Sequence, residues 1–210
     1  MSLWGRVFAA GYDTFMAGPE KAVLRGRRGP LLARASGHVL EIGGGTGANI
    51  PFYGEQVKEV VITEPEEPMA RRLEHKLHES SLAAKVVRAA AEELPFRDAS
   101  FDFVVSTLVL CTVSDPQRAL GEIHRVLKPN GQLLFLEHVR SDDPGLARWQ
   151  DRLHGVQVRL GHGCHCNRRT LDSIKASGFS IADLEHDRVR GAPPIVRPLI
   201  VGAANVVTSV

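Results

Sequence analysis

Two carboxylates and a run of glycines carry most of the chemistry that this sequence can offer. Glu41 sits near the end of the apolar run HVLEI, and Glu64 directly follows EVVIT. Between them lies GGGTG, with Gly43, Gly45 and Gly47 at alternate positions. Glycines spaced in this way let the chain turn tightly and let a ligand touch backbone. Ile50, Tyr53 and Val57 follow at helical spacing, so a helix is expected to aim its N-terminus, with free N–H groups and a partial positive end, at the loop. The glycines fit two ligand classes. Gly43, Gly45 and Ala48 satisfy the dinucleotide pattern G-x-G-x-x-G/A, whereas Glu41, Gly43, Gly45 and Gly47 satisfy E-x-G-x-G-x-G. Glu41 favours the second reading, because a carboxylate there repels a pyrophosphate and suits a sulfonium or an ammonium. Glu64, 17 residues after Gly47, can accept hydrogen bonds from both hydroxyls of a ribose. Such two-point acceptance fits a free 2′-hydroxyl and disfavours a 2′-phosphate.

Positioning these groups takes alternating strands and helices. From Gly37 onward, short apolar runs alternate with helix-period segments, as βαβ units with a parallel sheet require. Strands are expected at 38–42, 59–63, 85–89, 101–107 and 132–138. Met69, Leu73 and Leu77 mark one helical face, and Ala119, Leu120, Ile123 and Leu127 mark another. Asp115 before Pro116 supplies an N-cap and first-turn pair. Leu146, Trp149, Leu153, Val156 and Leu160 fit a single stripe. A short helix over 168–176 and two strands at 179–189 and 198–207, joined by RGAPPIV, complete seven strands with a terminal hairpin. Residues 1–34 stand apart from the domain at 35–210. Leu3, Trp4, Val7, Phe8, Gly11 and Phe15 line one side of a helix there, followed by Lys21, Arg25, Arg27, Arg28 and Arg34. That apolar face suits a helix packed on the domain, a lid over a pocket and a membrane-surface anchor alike.

With 210 residues, 43% hydrophobic and 24% charged, the chain has the composition of one globular domain that needs no metal or disulfide to fold. Its 26 basic and 24 acidic residues leave a formal charge of +2, which does not favour nucleic acid as a partner. Three cysteines suit a reducing cytosol, and neither a secretory signal nor an apolar run of membrane-spanning length is apparent, so the expected location is cytoplasmic with optional membrane association.

Four segments in order, LEIGGGTG, VVITEPEEPM, AAAEELPFRDASFDFVVSTLVLCTV and EIHRVLKPNGQLLFLEHV, resemble the class I S-adenosylmethionine-dependent methyltransferases. The resemblance implies an α/β, doubly wound, mostly parallel seven-stranded Rossmann-like sheet of order 3-2-1-4-5-7-6 with strand 7 antiparallel. It implies S-adenosylmethionine as cofactor, with Glu41 near the methionine ammonium and Gly43, Gly45 and Gly47 against its backbone-contact surface. Glu64 would hold the ribose, Met69 would pack near the adenine, Ala91 and Glu92 would meet its edge, and Thr107 would offer a backbone carbonyl to the ammonium. Many relatives carry Asp where this chain has Ala90, so a side-chain contact to the adenine amino group is not implied here. The carboxyl third, with FLEHVRSDDPGLARWQDRL and GCHCNRRTLDSIKASGFS, is similar to the alkyl-thiol methyltransferase branch, and the opening YDTFMAGPEK to quinone-biosynthesis C-methyltransferases.

Methyl transfer is an in-line displacement whose chief demand is to hold nucleophile and methyl together. A thiol needs little help from a base, while a carbon or phenol needs more. His138, at the carboxyl end of the fifth strand, is the candidate base or orienter, and Tyr12 is the second. His162, Cys164 and Cys166 alternate but lack the spacing of a zinc site, so no metal is expected; the family resemblance implies that Cys164 shapes the substrate pocket, and Cys111 reads as a buried apolar filler. Arg168 and Arg169 are placed at a helix start. The expected activity is methyl transfer to a small apolar thiol or quinone-like ring, in a pocket roofed by the N-terminal helix and the Trp149 helix. A nicotinamide-dependent oxidoreductase and a cofactor-binding regulatory module without turnover are the alternatives.

Overall fold

A computed structural model describes the backbone from Leu3 to Val207 and the side chains from Gly11 onward. The expected contacts of Leu3, Trp4, Val7 and Phe8 therefore lie outside the described residues. The chain runs α1 (Leu3–Pro19), α2 (Arg25–Leu32), β1 (Gly37–Ile42), β2 (Val57–Thr63), α3 (Glu67–His78), β3 (Ala84–Val87), β4 (Phe101–Thr107), α4 (Pro116–Val126), β5 (Leu127–His138), α5 (Pro144–Leu160), α6 (Thr170–Ala176), β6 (Phe179–Arg188) and β7 (Pro198–Val206).

The seven strands form one sheet in the order β3-β2-β1-β4-β5-β7-β6. Pairing is parallel from β3 to β5, and β7 runs antiparallel to both β5 and β6, as the terminal hairpin requires. The period of two sorts the strand residues onto two cores. Leu40, Ile42, Val104, Leu133 and Phe135 face α4 and α6 through Leu120, Ile123 and Ile174. Val39, Val60, Ile62, Val105, Leu134 and Leu136 face α2 and α3 through Leu31, Leu32 and Leu73. β1 pairs with β2 on one side and β4 on the other, so the chain reverses its winding there and leaves a crevice at the carboxyl ends.

The expected helix after the glycine loop does not form. It shrinks to one 3₁₀ turn, Ile50–Phe52, and Val57 already opens β2. Tyr53 already turns extended (φ −71°, ψ 127°) and Gly54 follows it, so only a turn fits in the short connection before β2. The helix N-terminus expected to face the loop is absent with it. α4 keeps its expected start: the Asp115 carboxylate accepts from the N–H groups of Gln117 and Arg118 at 3.0 and 3.1 Å. It stops at Val126, and β5 begins at Leu127 with a register break against β4 before Gln132.

The amino-terminal segment is continuous with the body of the domain. Leu24, Leu31, Leu32 and Ala35 are buried in the core against β1, β2 and β7. Pro19 cannot donate to the helix ladder, and Glu20–Leu24 follows it as a π turn that joins α1 to α2. Arg28, only 3% exposed, donates to Asn49 Oδ1 at 2.7 Å, Thr107 Oγ1 at 2.8 Å and Glu20 Oε1 at 2.8 Å. Thus α2 is part of the domain proper, and a division at residue 34 cuts through its core; only α1 stands over the crevice.

Candidate active site

The carboxyl ends of β1, β2, β4 and β5 open into a cavity of about 480 Å³. Its wall on the β2 and β3 side includes Gly45, Glu64, Glu66, Met69, Ala91 and Glu92. On the β4 and β5 side it includes Val109, Cys111, Val113, His138, Gln157 and Cys164, and Tyr12, Phe15 and Met16 of α1 close over it. Of the residues singled out from the sequence, the cavity gathers Tyr12, Gly43, Gly45, Glu64, Met69, Ala91, Glu92 and His138. Glu41, Gly47 and Thr107 are off its wall.

The loop residues have distinct local reasons to be glycine. Gly43, Gly45 and Gly47 all have positive φ, at 56°, 57° and 82°. A Cβ on Gly43 would strike Val109, one on Gly44 would collide with Ile62, and one on Gly47 would strike Ile50, whereas nothing lies within 4 Å of a Cβ built on Gly45. Gly47 is thus bare because the core needs the space, whereas Gly45 is left open to the cavity by a backbone turn of φ 57° that favours glycine. The Glu64 carboxylate accepts from the Gly45 N–H at 2.9 Å and from the Glu66 N–H at 2.8 Å. Burial raises its pKa against those two donors. A carboxylate oxygen accepts more than one hydrogen bond, so both oxygens keep capacity for a diol. An open cradle at Gly45 beside a buried carboxylate fits an adenosyl ligand.

Glu41 lies behind the loop, 2% exposed, where the Tyr53 hydroxyl donates to its Oε2 at 2.5 Å. Burial pushes its pKa up to about 7, with Tyr53 and the Arg28 charge acting the other way. Glu41 does not line the cavity, so it has no contact to offer a ligand there. The Thr107 hydroxyl oxygen accepts from Arg28 Nη1 at 2.8 Å and from Asn49 Nδ2 at 3.0 Å, while Leu108 and Val109 take its place at the wall.

Neither candidate base is tuned to accept a proton near neutrality. Burial drives the His138 pKa down to about 4, with the Pro198 carbonyl opposing it, and the Nδ1 atom is buried without a hydrogen-bond partner. Burial pushes the Tyr12 hydroxyl up to about 12, so it stays a neutral donor. The Trp149 helix roofs the cavity differently from the expectation: Gln157 reaches it, while Trp149 is 54% exposed. Leu153, Val156 and Leu160 are exposed beside it. Their spacing gives an apolar face, but spacing alone does not say which side of a helix meets the core.

Two arrangements escaped the sequence. Glu137, wholly buried, accepts from Ser106 Oγ at 2.7 Å, from the N–H groups of Val109 and Leu110 at 3.0 Å each, and from the Cys111 N–H at 3.2 Å. It shapes the loop after β4 that forms one cavity wall. An acid inside an otherwise apolar strand was the available signal. His162 Nε2 meets Glu66 Oε1 at 2.6 Å, joining the loop after α5 to the loop after β2 across the cavity. No local pattern foretells that pairing, since the residues lie 96 apart.

Residues 40–135 match the family model described as a methyltransferase domain. Thiol S-methyltransferase TMT1B of Homo sapiens is 36% identical over 183 residues, covering 82% of this chain and 73% of that protein. The rat protein of the same name is 38% identical over 70% of this chain, and the match spans 62% of the rat protein's length. The ubiquinone/menaquinone biosynthesis C-methyltransferase UbiE of Pseudoalteromonas translucida is 34% identical over 56% of this chain and 49% of its own. Among solved structures, the YcgJ protein of Bacillus subtilis superposes with a TM-score of 0.73 at 18% identity, over 88% of this chain and 100% of that one.

The raised pKa of Glu41 has a defined sign. The unfolded chain ionises near 4.5 while the folded one resists until about pH 7, so the folded state loses stability as pH rises between those values and is level on either side. The loss expected from this group is on the order of 3 kcal/mol. Urea titrations of the wild type and Glu41→Gln from pH 4 to 8 check it: the stability difference between the two should change across that window. A constant difference would refute the assignment.

Proposed function

We propose, for a chain that belongs to the class I S-adenosylmethionine-dependent methyltransferases, that the acceptor is a small apolar thiol, methylated on sulfur. The carrying observation is that burial pushes both expected candidates on the cavity wall away from neutrality, His138 down to about 4 and Tyr12 up to about 12. Such a wall suits an acceptor that ionises by itself. About a tenth of a thiol of pKa ~8.5 is already thiolate at pH 7.5, whereas well under 1% of a phenol of pKa ~10 is ionised. The thiol S-methyltransferase names of the relatives favour the same choice.

S-adenosylmethionine supplies an activated methyl on a sulfonium. The chain's residues bind, orient and exclude water. Glu64 would accept the ribose hydroxyls, the bare Gly45 backbone would admit the adenosyl group, Met69, Ala91 and Glu92 would flank the base, and Glu41 would offset positive charge from behind the loop. Phe15, Met16, Val109 and Val113 would cover the acceptor and shed water. His138, held neutral on the cavity wall, would orient the acceptor, with the Tyr12 hydroxyl as a second polar contact.

A peripheral membrane contact belongs to the same reading. Trp149, Leu153, Val156 and Leu160 form an exposed stripe on α5, with Arg148, Arg152 and Arg159 on the same helix and Arg152 over the Trp149 ring. Phe15, 71% exposed, edges the cavity on α1. Apolar side chains beside cations suit the surface of an anionic bilayer. No helix among the described residues is long and apolar enough to cross one.

Three measurements follow from this reading. With thiols of graded acidity, log kcat/KM should rise with pH at unit slope and level off at each acceptor's own pKa; a shared plateau set by the enzyme would refute a base-free site. Glu64→Ala should weaken cofactor binding by about 1.5–3 kcal/mol in calorimetry, and unchanged affinity would remove the ribose role. The wild type should sediment with phosphatidylserine vesicles and far less with phosphatidylcholine vesicles, and Trp149→Ser/Leu153→Ser should stay in the supernatant. Wild type that ignores both vesicles would end the membrane reading.

A further inference from the structure

Cys111 and Cys164 place their sulfurs 3.8 Å apart on the cavity wall. They arrive from distant parts of the chain, one from the loop after β4 and one from the loop after α5. Those loops are already stitched together. The His165 N–H donates to the Cys111 carbonyl at 2.7 Å, and Arg168 Nη1 donates to the Leu110 carbonyl at 2.8 Å. Cys166 is packed with them in one small cluster, yet it is wholly buried and off the cavity wall. Methyl transfer has no use for two adjacent thiols on its acceptor wall.

We infer that Cys111 and Cys164 are a redox modification site, closing to a reversible disulfide that narrows the acceptor end of the cavity and stops turnover. The sulfurs must approach by about 1.8 Å to reach bonding distance, which side-chain rotation on loops already tied together can provide. A hydroperoxide is the oxidant. The Cys164 sulfur attacks its terminal oxygen, the O–O bond breaks, and the thiol proton leaves with the alcohol or water. The Cys111 sulfur then attacks the resulting sulfenic sulfur, the S–O bond breaks, and the oxygen departs as water with the second thiol proton. Two thiols give up two electrons and two protons, and the peroxide bond takes them. A small dithiol reverses the bond by exchange.

The roles of the two sulfurs differ. Cys164 sits at the edge of the pair beside Gln157 and the Arg168 charge, and its pKa is lowered, chiefly by the hydrogen bond with Cys111, against its burial and the Glu137 charge, as suits the attacking sulfur. Cys111 is raised by that same contact and by burial, as suits the resolving thiol. Burial pushes Cys166 up to about 12, which keeps it out of the exchange.

The full-length protein, treated with hydrogen peroxide and then alkylated, tests this directly. The free thiols should fall from three to one, the intact mass should drop by two hydrogens, and a non-reducing digest should hold a Cys111–Cys164 linked peptide. Methyl transfer should be lost in step with that peptide and return with dithiothreitol. Cys166→Ser should still form the linked peptide, and Cys111→Ser should carry Cys164 on to the sulfinic acid. Three alkylated thiols after oxidation, a sulfinic Cys164 beside a free Cys111 in the wild type, or a linked peptide with full turnover would each overturn the inference. The thiol count and the linked peptide are read without any acceptor, so they stand or fall separately from the choice of thiol substrate.

Discussion

A carboxylate taken out of water must find donors, and three of them at neighbouring strand ends organise this molecule. Glu41, Glu64 and Glu137 are each 5% exposed or less. Glu64 takes its donors from the glycine loop and the turn after β2, Glu137 from the loop after β4, and Glu41 from Tyr53 beyond the 3₁₀ turn. Each acid therefore fixes a connecting segment, chiefly through backbone N–H groups that would otherwise be orphaned at the top of a parallel sheet. The ligand cavity is what remains between segments held in this way. Its polarity comes from groups already engaged with the protein, so it can admit a charged nucleoside on one side and an apolar acceptor on the other.

The same burial explains why two polar side chains on the cavity wall are poor proton carriers. His138 and Tyr12 are both pushed toward their neutral forms by desolvation. A neutral imidazole and a neutral phenol would hold a ligand without competing for its proton. That division of labour matches a reaction in which the electrophile arrives fully activated and the nucleophile ionises in solution.

Much of the architecture was legible because strand periodicity and burial coincide here. Apolar runs such as HVLEI and QLLFLEH became central strands, and the Asp115–Pro116 pair started its helix. The strand order came from the family resemblance, and the sheet has that order. The helix after the glycine loop failed because apolar spacing at Ile50, Tyr53 and Val57 was read without the extended backbone at Tyr53 and the Gly54 that follows it. The packing of 21–34 against the sheet was hidden by their basic character, since Leu24, Leu31, Leu32 and Arg28 are buried on partners distant in sequence. At the site, Glu64 and Gly45 were readable from their place in a motif. Glu137, His162 and the Cys111–Cys164 pair act through tertiary neighbours, which no local spacing records.

The π turn at Glu20–Leu24 divides a long helical segment into a riveted half and a cantilever. α2 is bolted into the core by Arg28 and its leucines. α1 projects over the crevice, where Asp13 accepts from Thr46 Oγ1 at 2.6 Å and from Lys76 Nζ at 3.2 Å. The Lys76 contact is an exposed ion pair, which holds with about 1 kcal/mol or less and weakens in salt. The cover of the crevice thus belongs to the half that the core does not grip, joined to it across the turn next to Pro19, while the sheet and its three buried acids stay with the other.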